Sequence, residues 1–189
     1  MVGKCAPESQ ESPVNGNARR VIVEPESIAY VSTTGDDPAL RPAVASLGAT
    51  VGDRTRILLM FPRGDWGKDR VIKAYLLLDR AEGAQAGPGD VLVRAEKITE
   101  AWSLKGGASI SWASPPQSEA LLGAEARVAS RGVGSIRIDV TPYASDLGNK
   151  NAHTYGLRIE AKGEGFGVPI ATGVAGPAMG PRLEIYLQP

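Results

Sequence analysis

The sequence has one cysteine and one histidine in 189 residues. Cys5 lies in a polar segment, so the chain cannot form an internal disulfide or a metal cluster held by several thiolates. His153 would have to serve alone in any catalytic device of the Ser-His-Asp or Cys-His kind. Its polar loop favours a surface position, and we therefore expect a protein that is not an enzyme and needs no cofactor.

The chain also has no net charge, because its 21 basic and 21 acidic side chains cancel. A global field that would attract nucleic acid or an anionic membrane is therefore excluded. No apolar run reaches the length of a signal peptide or a membrane span. We expect a soluble chain with no nucleic-acid partner and no membrane span, whose partners are recognised locally.

Large apolar side chains are scarce in residues 1–19, which cannot offset the entropy lost on ordering. This composition predicts a flexible polar arm that orders only on a partner or a neighbouring subunit. One domain is expected to follow over residues 20–189. In an alternative interpretation, Cys5 and the polar residues after it form the tether of a lipoprotein, although Lys4 does not fit that processing site.

Short apolar runs separated by Gly and Pro follow the arm, and most alternate with the period of half-buried strands. The continuous run Arg56–Phe61 predicts a central strand covered on both faces. Between Val93 and Ile98 the alternation changes parity, which a β-bulge would absorb. Strands are predicted at 21–23, 28–31, 44–51, 56–61, 72–78, 91–98, 109–112, 136–140, 157–160, 168–171 and 183–187.

Two predictions concern how these segments connect. Ile136–Val140 and Leu157–Ile159 flank a polar loop, an arrangement typical of a strand pair joined by a turn. Ser118–Ala126 is the only segment with a helical pattern, which Gly123 weakens. Nine to eleven strands with almost no helix favour an all-β fold, namely a two-sheet antiparallel β-sandwich of jelly-roll type.

Several short motifs resemble, in order, those of the DNRLRE-type or disaggregatase-related domain, a β-sandwich of secreted and surface proteins that is related to carbohydrate-binding modules. The resemblance covers about residues 26–189, and it departs from the family pattern before Tyr30 and near residues 40–50. It implies glycan binding and an extracellular or surface location. The matching segments are Leu58–Phe61, Ile72–Leu78, Thr99–Trp102, Ser111–Trp112, Ile138–Thr141, Tyr155–Leu157 and Pro181–Tyr186.

Sugar binding by a sandwich requires aromatic rings and planar polar groups, and the chain has only three Trp, five Tyr and two Phe. Trp66 lies in a charged turn and is a candidate ligand contact, unless it folds back onto the sandwich edge. Tyr75 and Tyr186 are expected on outward faces, where they would form a platform with Arg158 or Arg94. The alternative for both tyrosines is that they face the second sheet or a covering loop.

Other polar and aromatic residues have structural interpretations. Trp102 and Trp112 adjoin apolar strands and are expected to pack in the core or at its edge. Asp139 is expected to bond the backbone near Thr141. The alternative is a structural Ca²⁺ site at Asp139, with the pair Asp36-Asp37 as a weaker candidate.

Two functional hypotheses follow. The first is a non-catalytic module that binds polysaccharide or cell-surface glycan, as the resemblance implies. The second is a structural subunit of a surface layer, sheath or particle, which would use the arm for protein contacts. The tripeptide Arg63-Gly64-Asp65 matches an integrin-type motif, but three common residues recur by chance.

Overall fold

The computed structural model describes residues 18–35, 37–39, 42–50, 53–81, 89–104, 110–129, 132–162, 167–174 and 179–189. The predicted arm therefore lies outside the described residues, except for Ala18 and Arg19. Arg19, the last residue assigned to the arm, belongs to the first strand. Cys5 and Asp36 also lie outside the described residues.

This described part of the chain contains eleven strands and one helix. The elements are β1 Arg19–Val23, β2 Ser27–Ser32, β3 Val44–Thr50, β4 Asp53–Met60, β5 Arg70–Asp79, β6 Asp90–Ile98, β7 Ser118–Ala129, β8 Ser135–Asp139, α1 Thr141–Gly148, β9 Leu157–Lys162, β10 Val168–Ala171 and β11 Arg182–Gln188.

The strands form two antiparallel sheets that pack against each other, which confirms the predicted all-β sandwich. The four-stranded sheet has the order β1-β11-β5-β8. The seven-stranded sheet has the order β10-β3-β4-β9-β6-β7, with β2 also paired to β4. No helix in the described ranges is long and apolar enough to cross a membrane.

Alternating side chains fill the space between the sheets. Ala74, Leu76 and Leu78 of β5 are fully buried and meet Ile57 and Leu59 of β4 in one continuous core. Burial of one side chain in every two is the reason that the sequence pattern has period 2. The side chains between the buried ones therefore point to the outer face of each sheet.

A second, smaller core covers the outer face of the seven-stranded sheet. Leu58 packs there with Ile98 and Trp102, so β4 is covered on both faces as predicted. The described residues of the segment predicted as a strand at 109–112 do not form one, and Ile110 instead packs into this second core.

The parity change in β6 has a different origin from the one predicted. β6 pairs with β9 without interruption from Leu92 to Lys97, and Ile98 faces outward because the second core receives it. The irregularity lies in the neighbouring pair, where β7 residues 121–124 stand opposite Ala95 alone. A bulge is therefore present, but β7 carries it.

The predicted pair of Ile136–Val140 with Leu157–Ile159 is wrong. β8 pairs with β5 in one sheet, whereas β9 pairs with β4 and β6 in the other. The segment between them forms α1 instead of a turn, with Pro142 in its first turn, where proline is tolerated. Tyr143 and Leu147 anchor this helix in the main core, so the chain crosses between the sheets.

The predicted helix Ser118–Ala126 is also wrong, because this segment is part of β7. Its Ala, Leu and Glu residues favour a helix locally, but pairing with β6 overrides that weak preference. Gly123 adopts φ +75° within the bulge, a conformation that glycine reaches at low cost.

Candidate functional site

The outer face of the four-stranded sheet brings two of the candidate tyrosines together. Glu184 and Asp139 stand directly opposite Tyr75 on the strands at either side, and Tyr186 stands opposite Lys73. Tyr75 and Tyr186 are therefore diagonal neighbours on adjacent strands. We call this surface the tyrosine face; its principal residues are Arg20, Ile22, Lys73, Tyr75, Arg137, Asp139, Glu184 and Tyr186.

The strand β5 places Tyr75 near the middle of this face. It lies between β11 and β8, and its alternate residues Ala74 and Leu76 are fully buried in the core. Because side chains alternate across a strand, the buried neighbours direct Tyr75 outward. Both tyrosines remain half-buried among the long side chains around them.

Glu184 is the buried charge beneath the tyrosine face, at 3% exposure. Arg20 donates from Nε to one carboxylate oxygen at 2.5 Å, and Arg137 donates from Nη2 to the other at 2.8 Å. A buried carboxylate is tolerated only when it is paired and hydrogen-bonded. The two arginines supply these partners and are held in place in return.

The ring of Tyr75 is flanked by cations. The guanidinium carbon of Arg137 lies 4.3 Å from the ring centroid, and Nζ of Lys73 lies 5.6 Å from it. Both distances fall within the range of cation–π attraction. One residue, Arg137, thus connects the aromatic centre of the face to the buried carboxylate of Glu184.

Asp139 closes the other side of the face. Lys73 donates to Oδ2, while Oδ1 accepts from the Thr141 backbone N–H at 3.0 Å and its hydroxyl at 2.6 Å. The predicted bond to the backbone near Thr141 is thus present. Burial alone would raise the pKa of Asp139, but the hydrogen bonds from Lys73 and Thr141 outweigh it and hold this pKa below its ordinary value.

The surroundings of Asp139 bear on the Ca²⁺ alternative. Oδ1 already accepts two hydrogen bonds, and Oδ2 accepts one from Lys73, whose positive charge opposes a bound cation. Over the described residues, no group of three or more His, Cys, Asp or Glu side chains could hold a metal ion. Of the weaker candidate pair, Asp37 accepts a hydrogen bond from the Ala39 backbone N–H at 2.9 Å.

Trp66 lies at the sandwich edge, away from the tyrosine face. Its half-buried ring packs against the main core between Gly64 and Gly148, where a Cβ atom would meet ring atoms at 2.1 Å and 2.0 Å. The backbone N–H of Gly64 donates to the carbonyl of Leu147 at 3.2 Å. The ring therefore joins the charged turn to the end of α1.

The integrin-type tripeptide is engaged in the same region. Arg63 donates to the backbone carbonyls of Lys150 and Ala152 at 3.1 Å and 2.7 Å. The carboxylate of Asp65 accepts from the Gly67 backbone N–H at 3.2 Å. These bonds hold the loop in shape.

Arg158 and Arg94 lie on the outer face of the other sheet, so neither joins the tyrosines in the predicted platform. Arg158 pairs with the buried Glu96 and also donates to the Pro116 carbonyl. Burial raises the pKa of Glu96, but hydrogen bonds from Ser118 and Arg158 and the charge of Arg158 bring it below its ordinary value.

The remaining two tryptophans pack in the second core. Trp102 is buried and donates from Nε1 to the Tyr155 carbonyl at 2.6 Å. Trp112 is half-buried beneath the guanidinium of Arg56, whose carbon lies 3.8 Å from the ring centroid. His153 is exposed and stacks on the ring of Tyr155, with centroids 6.4 Å apart.

Sequence reasoning missed Arg20, Arg137 and Glu184 as parts of the site. Arg137 alternates with the apolar residues of β8, and Glu184 with those of β11, so their outward direction was readable from the sequence. The contact between Arg137 and Glu184 could not be read from the sequence, because it depends on β11 and β8 both pairing with β5.

The chain matches no protein-family model, and no curated protein sequence is similar enough to count as a match. The resemblance to the DNRLRE-type domain therefore stays a prediction.

Proposed function

We propose that this protein is a non-catalytic β-sandwich module that binds polysaccharide or cell-surface glycan through the tyrosine face. The observation that supports this proposal is the diagonal arrangement of Tyr75 and Tyr186 on an outer sheet surface, beside the planar groups of Arg20, Arg137 and Glu184. Aromatic rings pack on the C–H groups of sugars, and planar polar groups pair with hydroxyls. The face combines both.

The geometry favours a chain over a single sugar. The diagonal neighbours of an antiparallel pair are separated by about 7–8 Å, so two successive sugar rings could each contact one tyrosine. The face lies on the outside of a sheet, where an extended polymer can cross without entering a cavity. The proposed ligand is therefore an internal stretch of polysaccharide.

Affinity gel electrophoresis on a panel of immobilised polysaccharides tests the proposal. We expect the wild-type chain to be retarded by at least one polymer, and Tyr75→Ala and Tyr186→Ala each to reduce the retardation. Tyr155→Ala serves as the matched control, because Tyr155 packs in the second core on the opposite sheet. Equal retardation of all four proteins would place binding elsewhere, and no retardation by any polymer would contradict the proposal.

A second candidate function is a structural subunit that assembles through protein contacts. It is favoured by β7, which ends the order of its sheet and leaves Leu122 almost fully exposed at the bulge. Edge strands offer backbone groups for pairing with another chain. Light scattering of the wild-type chain, of Leu122→Asp and of a variant lacking residues 1–17 tests this candidate. A concentration-independent monomer mass for the wild type would contradict it.

A further inference from the structure

We infer that the tyrosine face selects glycans that carry carboxylate or sulfate groups, with Arg20 and Arg137 as the residues that bind the anion. This inference rests on the proposed function and specifies the substrate class of the same face. Three features of the described residues support it: the shared carboxylate, the exposure of its partners and the contrast with the opposite sheet.

The first feature is the charge balance around Glu184. Two guanidinium groups share this one carboxylate, so the group of three carries a net positive charge. The neighbouring pair of Lys73 and Asp139 is neutral and cancels none of it. A polymer with fixed negative groups would complete the charge balance beside Tyr75, whereas a neutral one would not.

The second feature is that the two arginines are both anchored and accessible. Their side chains are 57% and 35% exposed, while that of Glu184 is 4% exposed. A guanidinium has five N–H donors, and Glu184 accepts one from each arginine. The planar groups are thereby oriented from below and still present donors to the solvent, an arrangement suited to bidentate recognition of an oxyanion.

The third feature is the contrast with the outer face of the seven-stranded sheet. There Glu96 also pairs with two arginines, Arg158 and Arg94. Arg94 reaches a second carboxylate, Glu125, so two arginines face two carboxylates and this group is neutral. The side chains of Arg158 and Arg94 are only 16% and 27% exposed. Arg56 pairs with Glu160 and lies over the ring of Trp112. These arginines are paired with carboxylates within the fold, so the anion is expected to bind the two arginines of the tyrosine face instead.

The experiment uses the full chain and three soluble polymers: a polyuronate, a sulfated glycan and a neutral glucan. Titration calorimetry compares the wild type with Arg20→Ala, Arg137→Ala and the double variant. Arg127→Ala is the matched control, because it removes the same charge from an exposed position on β7 of the other sheet.

We expect the wild type to bind at least one acidic polymer, with an affinity that decreases as salt is added. Each single arginine variant should weaken this binding by roughly tenfold or more, and Arg127→Ala should leave it unchanged. Binding of the polyuronate alone assigns the anion as a carboxylate, and binding of the sulfated polymer alone assigns it as a sulfate; either result supports the inference.

Other results overturn the inference in distinguishable ways. Binding that is equally tight to the neutral glucan and insensitive to both arginine variants would exclude the anion preference and leave the proposed glycan binding intact. Binding to none of the polymers would contradict both the anion preference and the proposed glycan binding. Should Arg137→Ala fail to fold, Arg20→Gln on the exposed edge strand β1 carries the same test, and Arg20→Lys, which keeps the charge but not the planar fork, should bind more tightly than Arg20→Gln.

Discussion

Glu184 is the residue on which the arrangement of the tyrosine face depends most. Glu184→Ala should remove the common acceptor of Arg20 and Arg137 and lower the free energy of unfolding by about 1–2 kcal/mol, since both arginines can be partly rehydrated. Glu125→Ala is the control, because its pairing with Arg94 is long, at 3.7 Å, and exposed. Urea unfolding measures both, and equal stability of the two variants would contradict the role given to Glu184.

The carboxylates with depressed pKa values predict acid sensitivity. A folded-state pKa below the ordinary value contributes stability above that value, and this contribution is lost as pH falls. For Asp139, whose ordinary pKa is 3.8, the free energy of unfolding should therefore decrease as pH is lowered through and below 3.8. Asp139→Asn should show a shallower decrease in urea unfolding at a series of pH values, and an unchanged profile would contradict this account.

Trp66 is expected to matter for stability and not for binding. Gly148→Ala should lower the free energy of unfolding by about 1–3 kcal/mol, because the new Cβ would lie 2.0 Å from the Trp66 ring. In a Trp66→Ala background the same substitution should cost less, since the clash is gone. A double-mutant cycle with thermal unfolding measures this difference, and strict additivity would show that the two positions are not in contact.

Among the elements, β7 is the one in which the local preference for helix and the pairing with a distant strand favour different structures. Gly123→Ala would strain a residue at φ +75° and should destabilise the fold by about 1 kcal/mol, although nothing lies within 4 Å of the added Cβ. Gly123→Asn should cost less, because asparagine tolerates this conformation. If the segment were the helix that its composition favours, Gly123→Ala would instead stabilise it. The sign of the change in urea unfolding distinguishes the two structures.

The helix α1 shows why the connections were harder to predict than the strands. Its eight residues begin beside a proline and carry polar side chains that are typical of a turn. Tyr143 and Leu147 become helical anchors only because the main core has room for them between the sheets. A period of 3.6 residues is hardly visible over two turns, whereas alternation over five or more residues identifies a strand.

For the whole molecule, many short strand patterns with almost no helical pattern were enough to predict an antiparallel sandwich. Which strands become neighbours depends on contacts between distant parts of the chain, as when β5 pairs with β11 about 110 residues later. The prediction of the candidate site was limited in the same way, because it too depends on which strands are neighbours. Tyr75 and Tyr186 were predicted to face outward, but Arg158 was grouped with them in error and Arg137 was missed, because the sheet membership of β8 and β9 was unknown.

The measurement that tests the proposed function most directly is the mapping of amide chemical-shift changes on the full chain as an acidic polysaccharide is added. Binding by the tyrosine face predicts changes concentrated on β1, β5, β8 and β11, with Tyr75, Arg137 and Tyr186 among the largest, and little change around Trp102 and Trp112. Changes confined to β7 and the second core, or no changes at saturating polymer, would contradict it.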